Sequence, residues 1–539
     1  METMVALLGT AFSALLLIVA AMNAGPLWRD EVNTINVAKM ASMPELWHNM
    51  SFESFPPLWP LLLRGWDFLG LANSDADIRI LGLFTGFFFL ASVWFCSRCI
   101  GARAPMITIA LMGSLPAFIF IVGANRAYGL GSALLVLSFG MIWRMIERPT
   151  RSWVLLTGLI CFLFAHCVYY DVVFLCAMLA GGAMVVIRRR QWKTLLTLVV
   201  IGAVSASSLA IYLPVIHRGS DYVPMNQLQY MDYSTLWYAL GHTLWARSNA
   251  RFGGMGVWLW IVLIIGGSVL GLVMQRARVR QGSALVTIPV QSRADLALFC
   301  TVSLLLGTEG YMAFLLKLQY PTQTWYYVEM FCLCAVALDG LMGASWPALR
   351  PWGMFRIGFM VVIMTWYAKS AWVEAHTRRT NVDLIAVAFN QRAIAGDLVV
   401  VQSPWVGITF NRYYHGPAEW LTVPPIDSHK VHRNDLVFEK MNQPDPMAPV
   451  LREVTNTLQR GHCVWLVGDL LNIRPNPPPS DRAVKFIGPY SLYWSAQVSV
   501  ILLDHAMRKQ NLELPTGGPV SRFENQTVTQ FSGYKPDAE

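Results

Sequence analysis

The chain has 539 residues, of which 55% are hydrophobic and only 14% charged, with 21 Trp and 27 Phe, which is too apolar for an ordinary soluble protein. Its net charge of +9 could suit nucleic acid, but Lys and Arg stand in small groups at the ends of apolar runs and form no basic face, so nucleic acid is excluded as a partner. Eight of the nine Cys lie inside apolar runs, Cys463 being the exception; no disulfide framework follows, and Cys96-x-x-Cys99 lacks a second pair for a zinc site.

Runs long enough to cross a bilayer, about 17 to 25 residues each, lie at 4–22, 79–98, 105–122, 127–146, 153–168, 171–187, 194–213, 255–274, 296–316, 325–343 and 354–372. The first could pass for a signal peptide, but Met1-Glu2-Thr3 carries no positive charge, so it reads as the first of about eleven spans. Basic residues fill alternate gaps: Arg98 and Arg103; Arg144, Arg148 and Arg151; Arg188, Arg189, Arg190 and Lys193; Arg276, Arg278, Arg280 and Arg293; Arg350 and Arg356. By the positive-inside rule these gaps face the cytoplasm. The Asp30 loop, the Arg126 turn, the 217–251 segment, the Lys317 turn and everything after Trp372 then face outward.

The first outer loop opens with Gly25-Pro-Leu-Trp-Arg-Asp-Glu-Val-Asn-Thr-Ile-Asn36. Charges at a span mouth are costly unless they meet water or a charged ligand. Asp30 is expected to cap an interfacial helix, with Val32, Ile35, Met40 and Met43 as its apolar stripe. A second helix, Pro56 to Trp66, is opened by prolines and is too short to cross. The later outer segment mixes Tyr222, Tyr230, Tyr233, Trp237, Tyr238 and Trp245 with Arg218, His242, Arg247 and Arg251, a composition suited to a headgroup region or an aromatic belt. From about Asn381 the composition becomes that of a soluble domain. Helix 382–393 leads through Gly396 into strand 397–402, and helix 450–460 leads through Gly461 into strand 462–467, which predicts a small α/β layer domain.

No P-loop, Gly-x-Ser-x-Gly or His-Glu-x-x-His motif occurs. The chemistry must rest on outer-facing polar groups at span ends: Asp30, Glu31, Glu53, Arg64, Arg126, Tyr128, His166, Tyr169, Asp171, Arg247, Arg251 and Lys317. A phosphate ester held near a membrane would need cations to receive its departing phosphate, for which Arg126, Arg247, Arg251 and Lys317 are candidates. A hydroxyl acceptor needs a carboxylate within reach of its proton, and Asp30 fits that need. Glu31, about 100° round the same helix, is better placed to pair with a cation or a divalent metal. His166 and Asp171 could simply bond each other across a helix break, while Glu309 and Glu329 could line a cavity or pair with Lys317.

Trp28-Arg-Asp-Glu31 after the first span, Phe55-Pro-Pro-Leu58 in the same loop, Asn125-Arg-Ala-Tyr-Gly129 before the fourth span, and Ala165-His166 with Tyr169-Tyr170 after the fifth resemble the GT-C superfamily of glycosyltransferases. The resemblance is to the branch with protein O-mannosyltransferases and lipid A aminoarabinose transferases, and it covers about the first 220 residues, the rest matching in layout. Two departures stand out: Phe55 where family members often carry His, and Gln323 and Trp325 near a place where an Arg-Tyr pair is common.

The resemblance implies a GT-C-like polytopic α-helical membrane protein with a C-terminal extracytoplasmic α/β domain. Residues 1–375 would form the transmembrane domain, with a catalytic first outer loop at 23–78, and residues 376–539 the soluble domain. It implies Asp30 and Glu31 as catalytic residues and Arg126, Tyr128, Arg247, Arg251 and Lys317 at the donor phosphate. Glu53, Arg64, His166, Tyr169 and Asp171 would line the acceptor side or cavity. The partners expected are a polyprenyl-phosphate-linked sugar, membrane lipid, and a glycan, lipid or protein acceptor at the outer face of a cell membrane. The rival reading is a transporter or flippase of a lipid-linked saccharide, against which stands the absence of paired halves with matching broken helices.

Overall fold

The computed structural model describes residues 1–220, 222, 231–244, 250–277, 290–319, 322–344, 350–473 and 487–536. The chain falls into two compact units: Met1–Asn23, Phe55–Leu213 and Met231–His376 form the first, and Ala24–Ser54, Pro214–Tyr230 and Thr377–Glu539 the second.

The first unit is helical and makes the chain a multi-pass membrane protein. Among the described residues seven helices are long and apolar enough to cross a membrane: Glu2–Asn23, Asp75–Cys99, Ala127–Glu147, Asp171–Arg188, Trp192–Ser220, Arg293–Leu318 and Thr324–Met342. The runs at 153–168 and 255–274 correspond to the shorter apolar helices Arg151–Ala165 and Gly254–Leu270, and the last run lies within the Arg350–Ala375 helix. The run at 105–122 is not one span. It forms two short helices, Met106–Met112 and Pro116–Val122, with Leu115 extended between them, because a proline pushes the residue before it out of the helical region.

Buried charge in this unit is spent at helix ends. Asp339 accepts from the backbone N–H of Ile107 at 3.3 Å and from the Thr108 hydroxyl at 3.0 Å, so it caps the first half of the broken helix. Arg189 bonds both Glu147 and Asp295 at 2.7 Å. The basic group at 188–193 thus ties together the end of the Ala127–Glu147 helix, the end of the Asp171–Arg188 helix and the start of the Val290–Leu318 helix.

The second unit holds a five-stranded sheet, β1 Leu398–Val401, β2 Glu419–Thr422, β3 Val464–Val467, β4 Ala506–Asn511 and β5 Val528–Tyr534, in the order β2-β1-β3-β5-β4. β1 runs parallel to β2 and β3, while β5 is antiparallel to β3 and β4. The strand period of two sends Val400, Val464 and Leu466 to one face, against Val437, Val454, Trp494 and Val498 of three helices. It sends Val399, Val401, Trp465 and Val467 to the other, against Ile385, Phe389, Val406 and Phe410. That is why both strands read as unbroken apolar runs. The anticipated α/β domain is present, with helices on both faces of a mixed sheet.

Residues 24–54 belong to this same unit. Gly25, at φ +67°, turns the chain against the Arg378 guanidinium; Ala24 O accepts from Arg379 N at 2.8 Å, and Leu27 N donates to the Tyr413 hydroxyl at 2.8 Å. The loop is therefore built onto the C-terminal fold by specific bonds.

Candidate functional site

The first group of site residues lies on the Arg29–Ala38 helix of the second unit. Asp30 is not its N-cap, contrary to the expectation from sequence: that place falls to Trp28, whose backbone N–H donates to Glu31 Oε2 at 3.3 Å. The next orphan donor, Arg29 N, is met from outside the helix by Glu524 Oε2 at 3.3 Å. With Glu31 and Glu524 serving the helix start, no cap is required of Asp30. This is also why Glu31 is fully buried and turned back on its own backbone instead of outward.

Four carboxylates surround this helix and their situations differ. Glu31 and Glu524 are fully buried, and Glu53 is 8% exposed. Glu53 accepts from Thr34 Oγ1 at 2.7 Å and Asn33 Nδ2 at 3.1 Å, which closes the loop on itself. Glu524 also accepts from Thr409 Oγ1 at 2.8 Å; burial pushes its carboxyl up to about 8, against the pull of Arg29 and these hydrogen bonds. Asp30 is the most exposed of the four, with its side chain 17% exposed and Arg29 Nε 3.6 Å and His432 Nε2 3.3 Å from its Oδ1. A carboxylate held by two cationic or imidazole groups yet still open to solvent can accept a proton from a hydroxyl brought to it.

The second group lies in the first unit, at the turn before the Ala127–Glu147 helix. Arg126 is the extended N-cap residue of that helix and is 3% exposed. Its guanidinium stands 4.4 Å from the centre of the Phe55 ring, and the Tyr128 ring packs edge-to-face with Phe55 at 5.6 Å. The departure of Phe55 from the usual His thereby has a physical account: an aromatic face here supports the arginine by cation–π attraction. Trp59 fixes the same turn by donating from Nε1 to Asn125 O at 3.1 Å. Gly129 serves packing, since a Cβ there would press on Thr85 and Val122.

Behind this turn Tyr128, Tyr170, Tyr311 and Tyr326 form an aromatic cluster with ring centroids 5.2 to 6.1 Å apart in successive pairs, and Tyr311 donates to Tyr326 O at 2.8 Å. Asp171 and Glu329 are both fully buried beside it, and a Cβ on Gly131 would overlap Glu329 Oε1 and touch Asp171 Oδ2. The pairing of His166 with Asp171 is not found. His166 bonds the Tyr212 and Ser208 hydroxyls at 2.6 and 2.9 Å, whereas Asp171 accepts from Val168 N at 3.0 Å and turns to Glu329. Glu329 therefore does not reach Lys317, which is exposed.

Among the remaining candidates, Tyr169 packs edge-on against Tyr212 at 6.0 Å, and Arg64 is half-buried on the Leu58–Phe68 helix. Arg251 lies in the Ala250–Ala277 helix, its side chain outside the described residues, as is Arg247 altogether. His432 and Glu524, which contact Asp30 and Arg29 at the start of the helix, carry no signal in the sequence, being some 400 to 500 residues distant with no motif around them. Among the described residues no three His, Cys, Asp or Glu side chains come together as a metal site.

These features define a multi-pass membrane protein carrying a mixed α/β domain onto which its first loop is built. No family model matches the chain and no curated protein gives a significant match. Solved structures similar to it are the archaeal oligosaccharyltransferase AglB from Archaeoglobus fulgidus in complex with an inhibitory peptide and a dolichol-phosphate, and ArnT from Cupriavidus metallidurans bound to undecaprenyl phosphate. The first is 10% identical, with 98% of this chain and 74% of that one covered and a TM-score of 0.48. The second is 13% identical, with 97% of each chain covered and a TM-score of 0.38. Both belong to the GT-C superfamily that the sequence motifs resemble.

Proposed function

We propose that this chain is an integral-membrane glycosyltransferase that moves a sugar from a polyprenyl-phosphate donor to an acceptor hydroxyl at the outer face of a cell membrane, with inversion at the anomeric carbon. The observation that carries the reading is Asp30: of the four carboxylates at the first-loop helix it is the most exposed, with its side chain 17% exposed beside Arg29 and His432. In the reaction the acceptor oxygen forms its bond to the anomeric carbon as the bond from that carbon to the phosphate oxygen breaks. Asp30 takes the hydroxyl proton and the polyprenyl phosphate leaves with the electron pair. Arg126, stiffened by Phe55, offers a planar fork to the departing phosphate, with Tyr128, Arg247, Arg251 and Lys317 as further donor contacts. Glu53, Arg64, His166, Tyr169 and Asp171 belong to the acceptor side or the cavity, and the α/β domain is extracytoplasmic.

The test is to incubate the purified chain in lipid nanodiscs with polyprenyl-phosphate sugars and hydroxyl acceptors, following release of polyprenyl phosphate and the anomeric configuration of the product. Inverted product supports the proposal. Movement of intact lipid-linked saccharide across proteoliposomes, with no glycosidic bond made, would establish the transporter reading in its place.

A further inference from the structure

Two short basic loops of the first unit meet at one end of its helices. One joins the Ala127–Glu147 helix to the Arg151–Ala165 helix and carries Arg148 and Arg151; the other joins Asp171–Arg188 to Trp192–Ser208 and carries Arg190 and Lys193. The 2.7 Å bond from Arg189 to Glu147 ties the two loops together. Asp295 takes Arg189 Nε at 2.7 Å and has Arg188 Nε at 3.7 Å. The acids beside the loops are thus engaged by Arg188 and Arg189. Arg148, Arg151, Arg190 and Lys193 are exposed and form no ion pair among the described residues. Four like charges gathered this way repel one another, and an anion arriving among them relieves that repulsion.

The backbone at Arg190 shows that a cation is favoured there over the residue the turn prefers. Arg190 N donates to Ile187 O at 2.9 Å and Gln191 N to Val186 O at 2.8 Å, which closes the Asp171–Arg188 helix in a Schellman motif. The motif sets Arg190 at φ +57°, a region that glycine enters freely and a side-chain-bearing residue only against steric cost. Glycine would serve the turn better, and what arginine adds is its exposed guanidinium.

Below the charges runs an apolar surface. Arg151, Leu155 and Leu159 are spaced four apart on one helix, and Trp192, Leu196 and Val200 are spaced four apart on the other, all of them exposed. Each helix therefore carries a polar or indole group followed by an apolar ridge on the same face, and the two helices are packed neighbours. Trp192, 62% exposed, has the apolar body and single N–H that settle at headgroup depth. A free phosphate would use the cations alone, whereas a lipid uses the cations and the ridges together. Arg126 stands at the opposite end of the 21-residue Ala127–Glu147 helix, about 30 Å away, so this patch is separate from the donor-phosphate candidates.

We propose that the two basic loops form a docking site for an anionic phospholipid of the bilayer, with its phosphate among Arg148, Arg151, Arg190 and Lys193 and its acyl chains along the ridges of Leu155, Leu159, Leu196 and Val200.

The experiment titrates the full-length protein in detergent with phosphatidylglycerol, with phosphatidylcholine of the same acyl chains, and with inorganic phosphate, counting bound lipid by native mass spectrometry and following thermal stability. Phosphatidylglycerol should bind saturably, at least about tenfold more tightly than phosphatidylcholine, and less tightly as salt is raised. Inorganic phosphate should leave the protein unchanged. A basic side chain near a membrane surface contributes about fivefold in affinity, so Arg148→Gln/Arg151→Gln and Arg190→Gln/Lys193→Gln should each weaken phosphatidylglycerol binding about 25-fold. Arg190→Gly keeps the turn and removes one cation; it should bind about fivefold more weakly while its stability without lipid is at least that of wild type, and it decides the matter should a double variant fail to fold. Arg508→Gln/Lys509→Gln, which removes the same charge from an exposed strand of the α/β domain, should bind within about twofold of wild type. Equal binding of the two lipids, wild-type affinity in the loop variants, or a loss as large in the α/β control overturns the proposal. So does inorganic phosphate binding as tightly as phosphatidylglycerol, which would make a free phosphate the ligand.

Discussion

Replacing Asp30 with Asn separates catalysis from stability. Asn is nearly isosteric with Asp, and the helix start does not depend on position 30, since Glu31 bonds the Trp28 N–H and Glu524 the Arg29 N–H. What is lost structurally is charge beside Arg29 at 3.6 Å and His432 at 3.3 Å, with all three side chains between 15% and 27% exposed. Partly solvated pairs of this kind contribute about 0 to 1 kcal/mol each, and an anion in the first helical turn about 0.3 to 1 kcal/mol. The variant should therefore lose at most about 3 kcal/mol of stability and still insert. A general base contributes roughly 100- to 10,000-fold, or about 2.7 to 5.4 kcal/mol in the barrier. Turnover of a polyprenyl-phosphate sugar, followed as released polyprenyl phosphate, should fall by that factor while donor binding by fluorescence or calorimetry persists. Turnover of a well-folded Asp30→Asn within a few-fold of wild type would refute the assignment and pass the role to Glu31 or Glu53.

Other outcomes follow from particular contacts. Arg126→Lys keeps the charge but loses the fork, so donor affinity should drop, and Phe55→Leu should weaken it by about 0.5 to 2 kcal/mol through loss of the cation–π support; donor titrations at wild-type affinity for both would reduce Arg126 to an anchor. Burial raises the Glu524 carboxyl from its ordinary 4.5 to about 8, so its contribution is fully present below about pH 4.5 and is lost as pH rises through about 8. Thermal stability should accordingly fall over that window by an amount on the order of a few kcal/mol, and Glu524→Gln should flatten the dependence; identical pH profiles for the two proteins would contradict it. Single cysteines introduced between 450 and 473 should be labelled from outside intact cells and those at 188–193 should not; outside labelling at 188–193 would reverse the whole topology.

The membrane class, the positions of most helices and the α/β character of the C-terminal part are legible in the sequence because each is a local matter. Span length, apolar periodicity and a helix–Gly–strand order are properties of neighbouring residues. The limits of locality show at 105–122, where hydropathy reads a span and Pro116 makes two helices. Asp30 and Arg126 could be chosen from charge type and placement at span ends. Their settings could not. That Glu31 is consumed in a cap, that Phe55 carries Arg126, that Asp171 turns to Glu329 instead of His166, and that His432 and Glu524 close on the first-loop helix all depend on contacts between segments far apart in the chain. Side chains alone do not encode such partners, because a carboxylate or imidazole of the same type could serve as cap, crosslink or base. Which one it becomes is decided by the burial and the hydrogen-bond donors that the folded chain brings to it.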